Sequence, residues 1–247
     1  TNTTAPVVST TLPSTQTEQI INAETGDVPD VNLVNTNVTV GKGQSFGETL
    51  FTFDANRTRD GQAPVVNVDT STVTQLPPVG NLLQVNPGVS VNLNASLLNV
   101  TNGNLVAGAN ILSVQGSLTD TTHSPLLNAD PTVTTAPGNL VEVPGGTLTV
   151  AGPIFTDVGG TVNVGTVTLG GALLAISGGG VVSASTTSAL FGLTGSTTTT
   201  GRALALDGSK ITVAGPFLAA TGGTLSVTGP AVEITNPTEP VDFGAQP

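Results

Sequence analysis

The sequence predicts an all-β chain built as a parallel β-solenoid (β-helix), and three observations predict it. First, an apolar residue recurs every seven positions: Leu148, Phe155, Val162, Leu169, Ile176, Ser183, Leu190, Thr197, Leu204, Ile211, Leu218, Leu225 and Val232. Eleven of these thirteen are hydrophobic in a chain that is 37% hydrophobic. Second, glycine stands three positions ahead in nine of the thirteen units, at Gly145, Gly152, Gly159, Gly180, Gly201, Gly208, Gly215, Gly222 and Gly229. Third, the residues between glycines alternate, as in Leu148-Thr149-Val150 and Val162-Asn163-Val164, which is the period of a strand. A coiled coil is excluded because one glycine per heptad would cost about 1 kcal/mol each inside a helix. Thr and Val, which dominate here, favour strands. Each unit is a short strand with a Gly-centred bend, and such units bury their apolar face only by stacking on one another.

The number of units per coil follows from an internal match. Thr149-Val150-Ala151-Gly152-Pro153 returns nine units further along as Thr212-Val213-Ala214-Gly215-Pro216. Nine units divide into three coils of three, and steps of 21 join Leu148, Leu169, Leu190, Ile211 and Val232. The expected coil is therefore three-sided, with about 21 residues in each turn of the solenoid. The match of Ile211 to Leu225, two units apart, leaves a two-sided coil open. Leu169, Ile211 and Leu225 are expected to point inward and Thr212 outward. The rival fold is an antiparallel sandwich, whose turns are spaced by roughly 8–12 residues rather than by a strict seven.

In chain order, residues 1–25 are rich in Thr, with Pro6 and Pro13 and no apolar period. They read as an extended N-terminal arm. Residues 26–80 contain strand-like runs at Val31 to Val40, Leu50 to Phe53 and Val65 to Val68 without a fixed period, the expected irregular β cap over an open sheet edge. Residues 81–235 form the solenoid body. Its first part repeats in another register, through Val91, Leu98, Leu105, Leu112, Thr119, Leu126, Val133 and Leu140. The weakest stretch is Thr186 to Thr200, where Ser183 and Thr197 take anchor slots and Ser196 to Thr200 is expected to loop out. Residues 236–247 carry Pro237, Pro240 and Pro247 and form a Pro-rich tail that leaves the ladder.

Composition narrows the function classes. The 247 residues include no Cys, Met, Trp or Tyr, so there is neither a disulfide framework nor a Cys-based metal site. Five basic residues against sixteen acidic ones leave nucleic acid without a partner surface. No apolar run is long enough to span a membrane as a helix. A surface made polar by Thr, Ser and Asn suits a secreted protein at the cell surface, and a chain that starts at Thr1 without Met is expected to be a processed or trimmed product.

Few residues carry candidate chemistry. His123, the only histidine, falls in a turn slot beside Ser124-Pro125 and reads as an exposed turn residue. Asp54, Asn56 and Asp60 have oxygen ligands at spacings reminiscent of a calcium loop, but Arg57 and Arg59 lie among them and the closing Glu is absent. Asp27 and Asp30 are a weaker pair. Apart from that calcium, no cofactor is expected. Glycoside cleavage needs two facing carboxylates; Asp157 and Asp207 are 50 apart, which does not stack at 21, and the chain is expected not to be an enzyme. Ice binding needs an outward Thr ladder. On the face of Leu148 the outward residues are Thr149, Gly170, Phe191, Thr212 and Glu233, which is a broken ladder. Asn2, Asn37, Asn56, Asn94 and Asn99 start Asn-x-Ser/Thr sequons.

The Gly-Gly, Leu-x-Val and Thr-Val-Ala-Gly-Pro pattern of residues 88–234 resembles bacterial surface β-helix proteins of the filamentous-haemagglutinin and autotransporter-passenger type. The resemblance implies secretion, a right-handed parallel β-helix and adhesive or structural work, and lends no catalytic residue. The function expected is that of an extracellular structural protein whose subunits assemble end to end into a filament or surface layer, the arm pairing with a neighbour. The alternative is a monomeric adhesin or glycan-binding module. The expected partners are the chain itself and surface glycans.

Overall fold

A computed structural model describes residues 29–40, 49–75, 80–130, 132–165 and 171–237. The arm 1–25, Asp27, Leu169 and most of the Pro-rich tail lie outside the described residues. Short strands fall into four parallel sheets. Sheet A stacks β1 (Val31–Val34), β5 (Val66–Asp69), β9 (Leu98–Thr101), β13 (Leu127–Asp130), β17 (Phe155–Val158), β21 (Phe191–Thr194) and β25 (Leu218–Thr221). Sheet B stacks β2 (Asn37–Val40), β6 (Thr72–Gln75), β10 (Asn104–Val106), β14 (Val133–Ala136), β18 (Thr161–Val164), β22 (Thr197–Thr200) and β26 (Thr224–Val227). Sheet C stacks β3 (Phe51–Phe53), β7 (Leu83–Val85), β11 (Leu112–Val114), β15 (Val141–Pro144), β19 (Ala172–Ser177), β23 (Arg202–Asp207) and β27 (Val232–Thr235). Sheet D stacks β4 (Arg57–Arg59), β8 (Ser90–Leu93), β12 (Ser117–Asp120), β16 (Thr147–Val150), β20 (Val181–Ala184) and β24 (Lys210–Val213).

Each strand pairs with the strand four places on, which makes the chain a parallel β-solenoid of four strands per coil. The expected three-sided coil of three units is corrected by the register. Leu148 pairs with Val182, and Val182 with Ile211. Paired residues lie between 27 apart, as for Phe191 and Leu218, and 36 apart, as for Phe155 and Phe191. Four strand-and-bend units make one coil, whose length varies with the bends and linkers between them. The nine-unit offset of the internal match spans two coils, Thr149 to Ser183 and Ser183 to Thr212, the first lengthened around the linker 165–171. That extra length makes the offset divisible by 21.

The glycines serve two separate purposes. Gly159 sits at the corner between sheets A and B with φ 72°, in the left-handed region that L side chains avoid. Asn35, Thr70 and Asn102 take the same conformation at the same corner in earlier coils. Gly152 instead lies close under the coil before it, where a Cβ would stand 2.3 Å from the Ser124 carbonyl oxygen.

The core is a column of aliphatic rows. Val65, Leu97, Leu126, Ile154 and Leu190 are fully buried just before their sheet A strands. Removing such side chains from water contributes roughly 1.5–3 kcal/mol each. The inward positions on β20 and β22 are Val182, Ala184, Thr198 and Thr200, so Ser183 and Thr197 face outward and the period slips by one residue. Ser196 to Thr200 does not loop out: β22 is a regular strand of sheet B. The stretch read as an irregular β cap contributes β1 to β6 to the same ladders as the body.

Candidate functional site

The expected calcium ligands are spread along the chain. Asp54 and Asn56 lie between β3 and β4, and Asp60 follows β4, roughly 13 Å from Asn56 along extended chain. The Asn56 side-chain oxygen accepts the Ser90 N–H at 2.8 Å. Among the described residues no group of three His, Cys, Asp or Glu could hold a metal ion. Arg57 and Arg59 do something the loop reading missed. They occupy the inward slots that Val91 and Leu93 fill in the next coil. Arg57 reaches Asp30 at 3.2 Å and Arg59 reaches it at 3.6 Å, with Arg59 also donating to the Ala63 carbonyl at 2.8 Å. Asp30 precedes Val31 in the row that Val65 continues, and Asp30 and Arg59 are buried. Burial pushes the Asp30 carboxyl above its ordinary value, opposed by Arg59 and then Arg57. The first coil thus closes its core with an ion-paired cluster.

Two more carboxylates point inward. Asp120, between Leu93 and Val150 in sheet D, accepts the N–H and hydroxyl of Thr122, both at 2.9 Å. Asp157, between Ala129 and Leu193 in sheet A, is fully buried, with no normal hydrogen bond to either carboxylate oxygen. Burial raises its pKa, opposed by the Ser196 hydroxyl and the Gly160 N–H beside it. Asp207 accepts from Asn236 at 2.8 Å on sheet C while Asp157 is buried in sheet A, so the two carboxylates weighed for glycoside cleavage are not an opposed pair; Glu233 pairs with Arg202. His123 is exposed in the turn after β12.

Sequence reasoning missed an asparagine ladder on the outer face of sheet A. Asn67 donates to Asn32 at 2.9 Å, Asn99 to Asn67 at 3.0 Å and Asn128 to Asn99 at 3.0 Å, and the Thr156 hydroxyl ends the row on Asn128 at 2.8 Å. In-register stacking lets each amide serve the next. An open groove of about 370 Å³ lies beside it, lined by Pro29, Gln62, Ala63, Pro64, Asn67, Ser96 and Asn99. Three sequon asparagines have engaged side chains: Asn99 in the ladder, Asn94, whose amide donates to the Asp60 carbonyl at 3.1 Å, and Asn56, which accepts the Ser90 N–H. Asn37 is exposed on β2.

The last coil differs from all others. Ile211, Val213 and Leu218 are only partly buried, and Leu225 and Val232, in register with the buried Thr198 and Leu204, are 36% and 44% exposed. Strands β24 to β27 each pair on one side only among the described residues. Comparison with protein-family models, with curated proteins and with solved structures found no match.

Proposed function

We propose that this chain is an extracellular structural protein whose subunits join end to end, a neighbour's strands adding to the open edge of β24 to β27. The exposed inward face of the last coil carries this reading. A row of unpaired N–H and C=O groups templates strand addition, and Ile211, Leu218, Leu225 and Val232 supply apolar area that such a neighbour would cover. Because all ladders are parallel, an incoming strand that keeps the register must run in the same direction. Head-to-tail joining meets that condition, and a heterologous joint that does not close makes a filament. Residues 1–25 are the proposed incoming segment. A surface made polar by Thr, Ser and Asn, with charged residues only 9% of the chain, supports a place at the cell surface.

Negative-stain microscopy of the full chain, of the chain without residues 1–25 and of a Leu225→Asp, Val232→Asp double variant tests this. Filaments from the full chain alone are expected. Single particles from all three at every salt and calcium concentration would exclude assembly. The second reading, a glycan-binding adhesin, rests on the amide-lined groove beside Asn67 and Asn99. Glycan-array binding lost in Asn67→Leu would favour it.

A further inference from the structure

The face tested for ice binding in the sequence is not a face. Thr149 and Thr212 lie in sheet D, Phe191 in sheet A and Glu233 in sheet C. Outward positions stack within each sheet, and those of sheet B form two rows without charge. One row runs Asn37, Thr72, Asn104, Val133, Thr161, Thr197, Thr224. Two positions along each strand, a second row runs Thr39, Thr74, Val106, Thr135, Asn163, Thr199, Ser226. Between them Val38, Val73, Leu105, Thr134, Val162 and Thr198 are buried, which fixes the rows as outward; only in the last coil is the residue between, Leu225, exposed.

We propose that sheet B is a binding face for ice. Eight threonines, two valines, three asparagines and one serine make up the two rows, with no charged side chain in either. The nearest outward acids, Asp69 and Asp130, belong to sheet A. A surface without charge selects an uncharged partner. The rows form a grid, about 4.8 Å from strand to strand and about 6.6 Å between i and i+2. Seven copies of one contact add together only against a partner that is itself periodic and rigid.

The side chains suit ordered water. Thr and Val are stiff at χ1, so ten of the fourteen positions keep their rotamers and lose little entropy on binding. Each threonine presents a methyl beside a hydroxyl: the methyl gains by leaving liquid water and the hydroxyl holds a water in the row. The relief is also suited. At the corner with sheet A, a shallow depression of about 340 Å³ is lined by Gly103, Gly160, Asn104, Val133 and Thr161 among others, with Val133 43% exposed. The asparagines of sheet A spend their amides on each other, and in sheet B Asn104 donates to the Thr72 hydroxyl at 3.4 Å, a longer contact. A crystalline polysaccharide is also periodic, but sugar platforms are commonly aromatic, and neither row contains an aromatic residue. The inference is independent of end-to-end assembly.

The test is adsorption of the fluorescently labelled full chain to polycrystalline ice, with ice recrystallisation measured alongside. The expected result is labelled ice and arrested grain growth. Thr135→Lys with Thr161→Lys should reduce adsorption at least tenfold with an unchanged unfolding temperature, while Thr149→Lys on sheet D should leave it intact. Ice no more labelled than by an inert globular protein would overturn the proposal. So would equal adsorption by the sheet B and sheet D variants, or retention on crystalline cellulose without retention on ice.

Discussion

The two ends of the solenoid solve the same problem in opposite ways. In the first coil Val31, Leu33, Val38, Phe51 and Phe53 are buried, and the inward slots of β4 hold Arg57 and Arg59 paired with Asp30. In the last coil the inward slots hold Ile211, Val213, Leu218, Leu225, Val232 and Ile234, all exposed or partly so. A stack of identical units leaves its end faces apolar by default, and charge in inward slots is a departure that must be compensated by pairing. Asp120 and Asp157 are inward charges in the middle coils, but of the two end coils among the described residues only the first carries the ion-paired cluster, which gives the molecule a polarity that its repeats alone would not.

The largest effect expected lies between the ends. Leu127→Asp puts an unpaired charge into a fully packed coil and should remove about 4 kcal/mol or more of stability in urea unfolding. The same change at Leu225 should cost less than about 1 kcal/mol, because that position already meets solvent. Equal losses would mean that the last coil is covered. Next comes the ion-paired cluster. Arg59→Met leaves Asp30 with one partner and should cost about 3–5 kcal/mol, whereas replacing Asp30, Arg57 and Arg59 together by aliphatic residues should be close to neutral. A triple variant as unstable as the single one would show that the charges do more than satisfy each other.

A smaller effect separates Asp30 from Asp157, a buried carboxylate without an arginine. The folded-state pKa of Asp157 is raised above 3.8, so the folded protein binds its proton more tightly than the unfolded chain does. That contribution to stability is fully present below 3.8 and is lost as pH rises through the raised value. Asp157→Asn should therefore raise the unfolding temperature at pH 7 and flatten its fall between acidic and neutral pH, Asp120 and Glu142 keeping part of the slope. The Asp30 carboxyl is raised as well, so its own titration has the same sign, but Asp30→Asn should lower the unfolding temperature at pH 7 because it leaves the buried Arg59 without its counter-charge. The smallest change is Thr212→Asp on the exposed face of β24, about 0.5 kcal/mol or less.

The solenoid was legible because the seven-residue unit is written in anchors that tolerate little else. The coil was not. One long coil around 165–171 turned a 28-like repeat into a multiple of 21, and that wrong stacking hid everything that depends on which residues are neighbours. The steps of the asparagine ladder are unequal, at 35, 32 and 29 positions, so no fixed period aligns them. The Arg57 and Arg59 slots looked like a polar loop because inward charge contradicts the alternation rule, and the pairing that permits it comes from Asp30, far back in the chain. A better signal was present: an aliphatic pair followed by Asn in Val65-Val66-Asn67, Leu97-Leu98-Asn99 and Leu126-Leu127-Asn128 gives the coil length directly.

The proposed role of the open end is tested most directly by amide hydrogen exchange of the full chain at two protein concentrations, one dilute and one at which assembly is seen. The account predicts that amides of β24 to β27 gain protection with concentration while those of β9 to β20 do not change. Exchange in β24 to β27 that is already slow in the dilute sample, or that stays fast at every concentration, would contradict it.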